Sequence, residues 1–120
     1  MAVIGGGSAG LATAFEAARH NLKVVVIDYV SESPQKTKWG IGGTCVNVGC
    51  IPKKLMHQAA RSAEAIVDAH DYGWHLPDNL NERANESKLK AYFNWSSLKS
   101  AVQSYIKSIN FGYLSSINKD

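Results

Sequence analysis

Residues 2–10 read AVIGGGSAG and residues 23–28 read KVVVID. Ala2-Val3-Ile4 is a short apolar run that halts at three glycines. Leu11, Ala14, Phe15 and Ala18 then recur at helical spacing, and His20-Asn21 closes that run. Val24 to Ile27 are consecutive β-branched residues, which predicts a strand buried on both faces of a parallel sheet. The order is strand, tight turn, helix, strand. A unit this short forces parallel pairing with a right-handed crossover. The fold class this predicts is α/β.

The turn carries chemistry as well as shape. Gly5, Gly7 and Gly10 form G-x-G-x-x-G between a strand and a helix. Gly5 allows the tight turn, Gly7 lets the backbone approach a pyrophosphate, and Gly10 lets helix and strand pack closely. The helix N-terminus then faces the phosphate charge. Asp28 follows Gly10 by 18 residues, at the end of the second strand, where an acid accepts hydrogen bonds from ribose hydroxyls. An acid there disfavours a 2′-phosphate, so FAD and NAD both fit. The competing reading is a plain glycine turn with a solvated aspartate.

Composition narrows the class further. The chain has 120 residues, 45% hydrophobic and 19% charged, which argues for a packed core and against disorder. Lys plus Arg number 13 against 10 acids, a net charge of +3, and Lys53-Lys54 is the densest basic run. No nucleic-acid footprint stands out. No apolar stretch approaches the roughly 20 residues of a membrane helix, and MAVIGGGSAG holds no basic leader or cleavage signal. Neither a secreted nor a membrane-spanning protein is expected.

Cys45 and Cys50 are the whole thiol content, too few for a disulfide-stapled secreted fold. They sit in C-V-N-V-G-C-I-P-K-K. Five residues of regular helix rise about 7.5 Å, whereas a disulfide wants Cα atoms roughly 4.4 to 6.8 Å apart. A bridge therefore needs a distorted turn, which Asn47 and Gly49 can supply. A helix starting near Pro52 would place Cys50 at its entrance, where the dipole and Lys53 favour a thiolate. Two other readings stand beside the redox pair. The cysteines could be small buried hydrophobes, or zinc ligands with His57, although C-x4-C is wide for a zinc knuckle and no fourth ligand is evident.

Around this segment the chain alternates order and irregularity. Residues 29–43 are rich in Gly and hold Pro34. The helix from Pro52 has an apolar stripe of Leu55, Met56, Ala59, Ala63, Ile66 and Val67. Residues 70–94 are polar and read as a surface loop. Ser96 or Ser97 can cap a third helix whose inner face is Leu98, Val102, Tyr105, Ile106 and Ile109, with Gly112 ending it.

WGIGGTCVNVGCIPKKLMHQAA, residues 39–60, strongly resembles the redox-active segment of the pyridine nucleotide–disulfide oxidoreductases. DYVSESPQKTKWG, residues 28–40, resembles the large thioredoxin reductases within that family, and FNWSSLKSAVQSYIKSINFGY, residues 93–113, is similar to the family's following helix. The resemblance implies a Rossmann-like FAD-binding fold, a parallel sheet flanked by helices, of which residues 1–120 form the N-terminal part. It places FAD at Gly5, Gly7, Ser8, Ala9 and Gly10, with Asp28 and Tyr29 at the adenosine end. Gly43, Thr44, Gly49, Ile51 and Pro52 match positions around the isoalloxazine and pyrophosphate. Cys45 becomes the thiol that exchanges with the next disulfide and reaches solvent. Cys50 becomes the thiol against the flavin, and Lys53 approaches the ring.

The activity implied is electron transfer from NADPH through FAD to the Cys45–Cys50 disulfide, then to thioredoxin or a small disulfide substrate. The parent would be a homodimer, cytoplasmic by expectation, with mitochondrion also fitting. The NADPH and interface domains have no counterpart in these residues. A glutathione reductase, a thioredoxin/glutathione fusion reductase and a non-catalytic truncated form are the rival readings. Two departures stand out. Lys36 occupies a turn position where glycine is expected, and residues 76–92 read as a surface insertion.

Overall fold

A computed structural model describes residues 1–34, 36–75 and 93–117. Strand β1 (Ala2–Ile4) leads through the glycine turn into α1 (Ser8–Arg19), and β2 (Val25–Ile27) follows. The short helix α2 (Gly43–Asn47) precedes α3 (Cys50–Ala69), a 3-10 turn (His70–Tyr72) and α4 (Trp95–Ile117). The chain divides into two compact units, Met1–Lys53 with Gln103–Asp120, and Lys54–Val102. The insertion expected at 76–92 lies outside the described residues. No helix among the described residues is long and apolar enough to cross a membrane.

In the first unit β1 and β2 pair in parallel, with Ala2, Val3 and Ile4 opposite Val25, Val26 and Ile27. The α/β reading holds in this small sheet. Helix α1 returns across one face and buries Leu11, Ala14 and Ala17 near Val3, while Val46 and Ile106 are buried from α2 and α4. Burial on both strand faces does not hold. Side chains alternate along a strand, so Ile4, Val25 and Ile27 share the face away from Val3, and they are 88%, 54% and 54% exposed. Among the described residues nothing covers that face. Helix α1 ends as expected, with His20 at its C-cap and Asn21 turning left-handed at φ 61°.

Three boundaries differ from the sequence expectation. Helix α3 begins at Cys50, two residues before Pro52; proline is tolerated there because first-turn N–H groups have no helical acceptor to lose. Helix α4 is capped by Asn94, whose Oδ1 accepts the Ser97 N–H at 2.9 Å, rather than by Ser96 or Ser97. Helix α4 also passes through Gly112 to Ile117. Of its expected inner face, Val102 and Ile106 are buried, whereas Tyr105 is exposed.

In the second unit the apolar stripe of α3 is only half covered. Met56, Ala59, Ala63 and Val67, with Phe93, Trp95 and Leu98, line an open cavity of 690 Å³. His57 lies exposed on α3.

Lys36 adopts φ 58°, the left-handed region, and its N–H donates to the Ser33 carbonyl at 2.8 Å. A side chain there carries a steric cost that glycine avoids. Lys36→Gly should therefore stabilise the intact protein by up to about 1 kcal/mol. Gly10→Ala should do the reverse, because a Cβ at Gly10 would overlap the Gly5 carbonyl oxygen. The loss expected is about 3 kcal/mol or more. Urea denaturation midpoints decide both, and a neutral Gly10→Ala would contradict the packing described.

Candidate active site

The site starts at the turn after β1. Gly5 has φ 103° and donates its N–H to the Ile27 carbonyl at 2.7 Å, tying the turn to the end of β2. The Gly6 N–H donates to Asp28 Oδ1 at 2.9 Å. Asp28 is thus neither free in solvent nor consumed: among the described residues its Oδ2 takes no hydrogen bond. Gly7 is the N-cap of α1, without a side-chain cap and with no acid in the first turn. The opening N–H groups of α1, at Ser8, Ala9 and Gly10, therefore have no helical acceptor and present a partial positive charge.

The cysteine segment is built directly onto this turn. Gly7 forms a bridge with Gly42, and the Gly42 N–H donates to the Gly6 carbonyl at 2.9 Å. A Cβ on Gly43 would come within 2.8 Å of the Gly7 Cα, so backbone meets backbone with no room for a side chain. Gly42 and Gly43 both take positive φ, 119° and 69°, to turn the chain into α2. That helix was not anticipated. At five residues it is too short to announce itself by periodicity.

Helix α2 carries Cys45, the Val48–Gly49 link breaks the helix, and Cys50 opens α3. This is the distorted turn that the spacing demanded. A Cβ on Gly49 would sit 3.0 Å from the Thr44 carbonyl oxygen and 3.2 Å from the Cys45 Cα, so glycine lets the chain fold back on α2. The two cysteines are free thiols, Cys45 half-buried and Cys50 exposed.

Cys45 is held below the usual thiol range by a hydrogen bond from the Cys50 thiol first. Partial burial opposes this, while the Cys50 backbone N–H, the Ser8 hydroxyl and the Lys53 charge add to it. Cys50 is pushed above the usual range, chiefly because its proton is engaged by Cys45. In the chain by itself these directions run opposite to the expectation of a thiolate on Cys50. The Lys53 charge favours both thiolates and does not choose between them; the choice falls to whichever thiol donates.

The structure brings together Gly5, Gly7, Ser8, Ala9, Gly10, Gly43, Cys45, Cys50 and Lys53. Thr44 is exposed on α2, Ile51 is half-buried, Pro52 is buried, and the Lys53 N–H donates to the Gly49 carbonyl at 3.0 Å. Tyr29 stands apart, 87% exposed beyond Asp28. Sequence reasoning missed Asn47 and Asn110. Asn47 is buried beneath α2, and Asn110 Nδ2 donates to its Oδ1 at 3.2 Å. An asparagine flanked by two valines was the available signal.

FAD is tested here by the cradle itself. An uncapped helix start, a backbone free of side chains at Gly5, Gly7 and Gly10, and an available Asp28 oxygen fit a dinucleotide's pyrophosphate and ribose. Residues 1–114 match the family model described as pyridine nucleotide-disulphide oxidoreductase. Over 117 residues, 98% of this chain, the sequence is 50% identical to thioredoxin reductase SEP1 of Emiliania huxleyi. The chain spans 21% of that protein's length.

The proton arrangement has a direct readout. In a pH series of iodoacetamide labelling on the reduced protein, Cys45 should become reactive at lower pH than Cys50, since its thiolate persists further into acid. Cys50→Ala removes the leading donor and should move the Cys45 onset upward. An onset for Cys50 below that of Cys45 would reverse the assignment.

Proposed function

Because the chain belongs to the pyridine nucleotide–disulfide oxidoreductase family, we propose that it forms the flavin- and thiol-bearing part of an NADPH-dependent disulfide reductase of the thioredoxin reductase type. The observation that carries this reading is the Gly7–Gly43 approach, which seats a reactive thiol pair against a dinucleotide-type turn. The 50% identity to a protein named thioredoxin reductase favours thioredoxin as the acceptor. Bound FAD would supply two-electron chemistry between NADPH, held outside these residues, and the disulfide.

The chain's own residues have separable tasks. The N–H groups opening α1 would hold the pyrophosphate, and Asp28 Oδ2 would be open to a ribose hydroxyl while Oδ1 keeps the Gly6 N–H. Gly43, Thr44, Gly49, Ile51 and Pro52 would border the isoalloxazine and pyrophosphate, with Lys53 supplying positive charge. Cys45 Sγ attacks one sulfur of the acceptor disulfide, which breaks that S–S bond and releases the first thiol. Cys50 Sγ then attacks Cys45 Sγ, releasing the second thiol and closing the Cys45–Cys50 disulfide. Two electrons pass to the acceptor, and the Cys50 proton and one solvent proton finish on the two released thiols. The exposure of Cys50 suits a sulfur that a flat ring covers. The lowered pKa of Cys45 suits the attacking thiol.

The intact protein should retain yellow flavin after desalting, and Asp28→Ala should loosen FAD by about 1 to 3 kcal/mol, the scale of charge-assisted hydrogen bonds. NADPH affinity should stay unchanged. Cys50→Ser should trap the acceptor as a mixed disulfide on Cys45, and Cys45→Ser should trap nothing. A colourless intact protein that takes up no FAD in titration would refute the proposal. Trapping by Cys45→Ser alone would invert the two thiols.

A further inference from the structure

Asn47 is a buried polar side chain, 6% exposed, and every hydrogen-bonding position of its amide is used. Its Oδ1 accepts the Gly40 N–H and the Asn110 Nδ2–H, each at 3.2 Å. Its Nδ2 donates to the Gly40 carbonyl at 2.9 Å and the Gly43 carbonyl at 2.8 Å. Two donors and two accepting lone pairs are the full capacity of the group. The pair of carbonyls facing Nδ2 also fixes which way the amide points. Asn110, on α4, donates in addition to the Ile41 carbonyl at 2.6 Å. Gly40 has no side chain for a reason: a Cβ there would overlap the Asn110 side chain.

Asn47 and Cys45 lie two positions apart on α2, about 200° around the helix axis. The face of α2 opposite the thiol is therefore pinned by the amide. The pin holds the Gly40–Gly43 loop that delivers α2 to Gly7, and it reaches α4 through Asn110. Rotation or sliding of α2 would carry Cys45 away from Cys50, and beside the packing of Val46 and the Gly7–Gly42 bridge these two amides supply the side-chain hydrogen bonds that hold α2 among the described residues.

We propose that Asn47 and Asn110 are positioning residues that set the distance and orientation of Cys45 toward Cys50, and through them the redox equilibrium of the pair. This rests on the reading of the pair as a working dithiol. A loosened α2 lowers the effective concentration of one thiol at the other, so the disulfide becomes harder to form. A clamp that serves folding alone would change stability and leave the equilibrium of the folded protein where it was.

The test equilibrates intact protein with graded mixtures of reduced and oxidised glutathione. One oxidised glutathione takes two electrons and two protons from the dithiol and leaves as two thiols, and the Cys45–Cys50 disulfide is counted by alkylation and peptide mass. Asn110→Leu and Asn47→Ala are expected to shift the constant about tenfold toward the dithiol, about 30 mV for a two-electron couple. The double variant should shift it no further than the larger single change. Asn110→Leu changes no residue of α2 and decides the matter if Asn47→Ala fails to fold. A folded Asn110→Leu within twofold of wild type overturns the proposal and leaves the dithiol reading standing. A wild-type pair that forms no disulfide in any mixture overturns both.

Discussion

The site depends on one approach of backbone to backbone, Gly7 against Gly43. A Cβ on Gly43 would lie 2.8 Å from the Gly7 Cα, closer than carbon atoms rest without repulsion. The Gly7–Gly42 bridge and the Gly42 N–H to the Gly6 carbonyl lock the contact. The start of α1 and the start of α2 thereby become parts of one surface. The uncapped N–H groups that suit an anion and the helix that carries a thiol cannot be displaced independently. A side chain at Gly43 would part the glycine turn from the thiols.

What the sequence made legible follows from local rules with strong signals. The β-α-β unit showed through glycine spacing and β-branched runs, and the parallel pairing followed from the length of the crossover. The distorted link between the cysteines followed from arithmetic on helical rise, and Val48–Gly49 is where it lies. Lys36 was marked as a residue where glycine belongs, and its φ of 58° is the physical content of that mark. What stayed hidden was tertiary. Helix α2 is shorter than two turns, so no period exposes it. Asn94, Ser96 and Ser97 are all good N-caps, and only the position of the first turn decides among them. The clamp joins Asn47 to a residue 63 positions later, a pairing that no local rule reports. The face bearing Ile4, Val25 and Ile27 was read as buried because β-branched runs usually are; burial is set by what packs there, not by the strand.

The acid–base order of the thiols shows the same division. Helix entrance and a nearby lysine are one-body arguments, and both favour a thiolate on Cys50. Two neighbouring thiols are a two-body problem, in which the first thiolate is stabilised by the proton that the second retains. The neighbouring Cys50 thiol and N–H and the Ser8 hydroxyl all lower the pKa of Cys45, whereas that of Cys50 is raised. Lys53 acts on both sulfurs and does not reverse that order.

Ser8 then carries a double load. It is the first residue of α1, so its N–H is among the groups that no helical carbonyl satisfies, while its hydroxyl leans on Cys45. An anion seated at the turn would compete for the same residue that steadies the thiolate, and its own negative charge would oppose that thiolate across a short gap. Ser8 belongs to both parts, and the glycine contact brings the turn and the thiols together as a single electrostatic site.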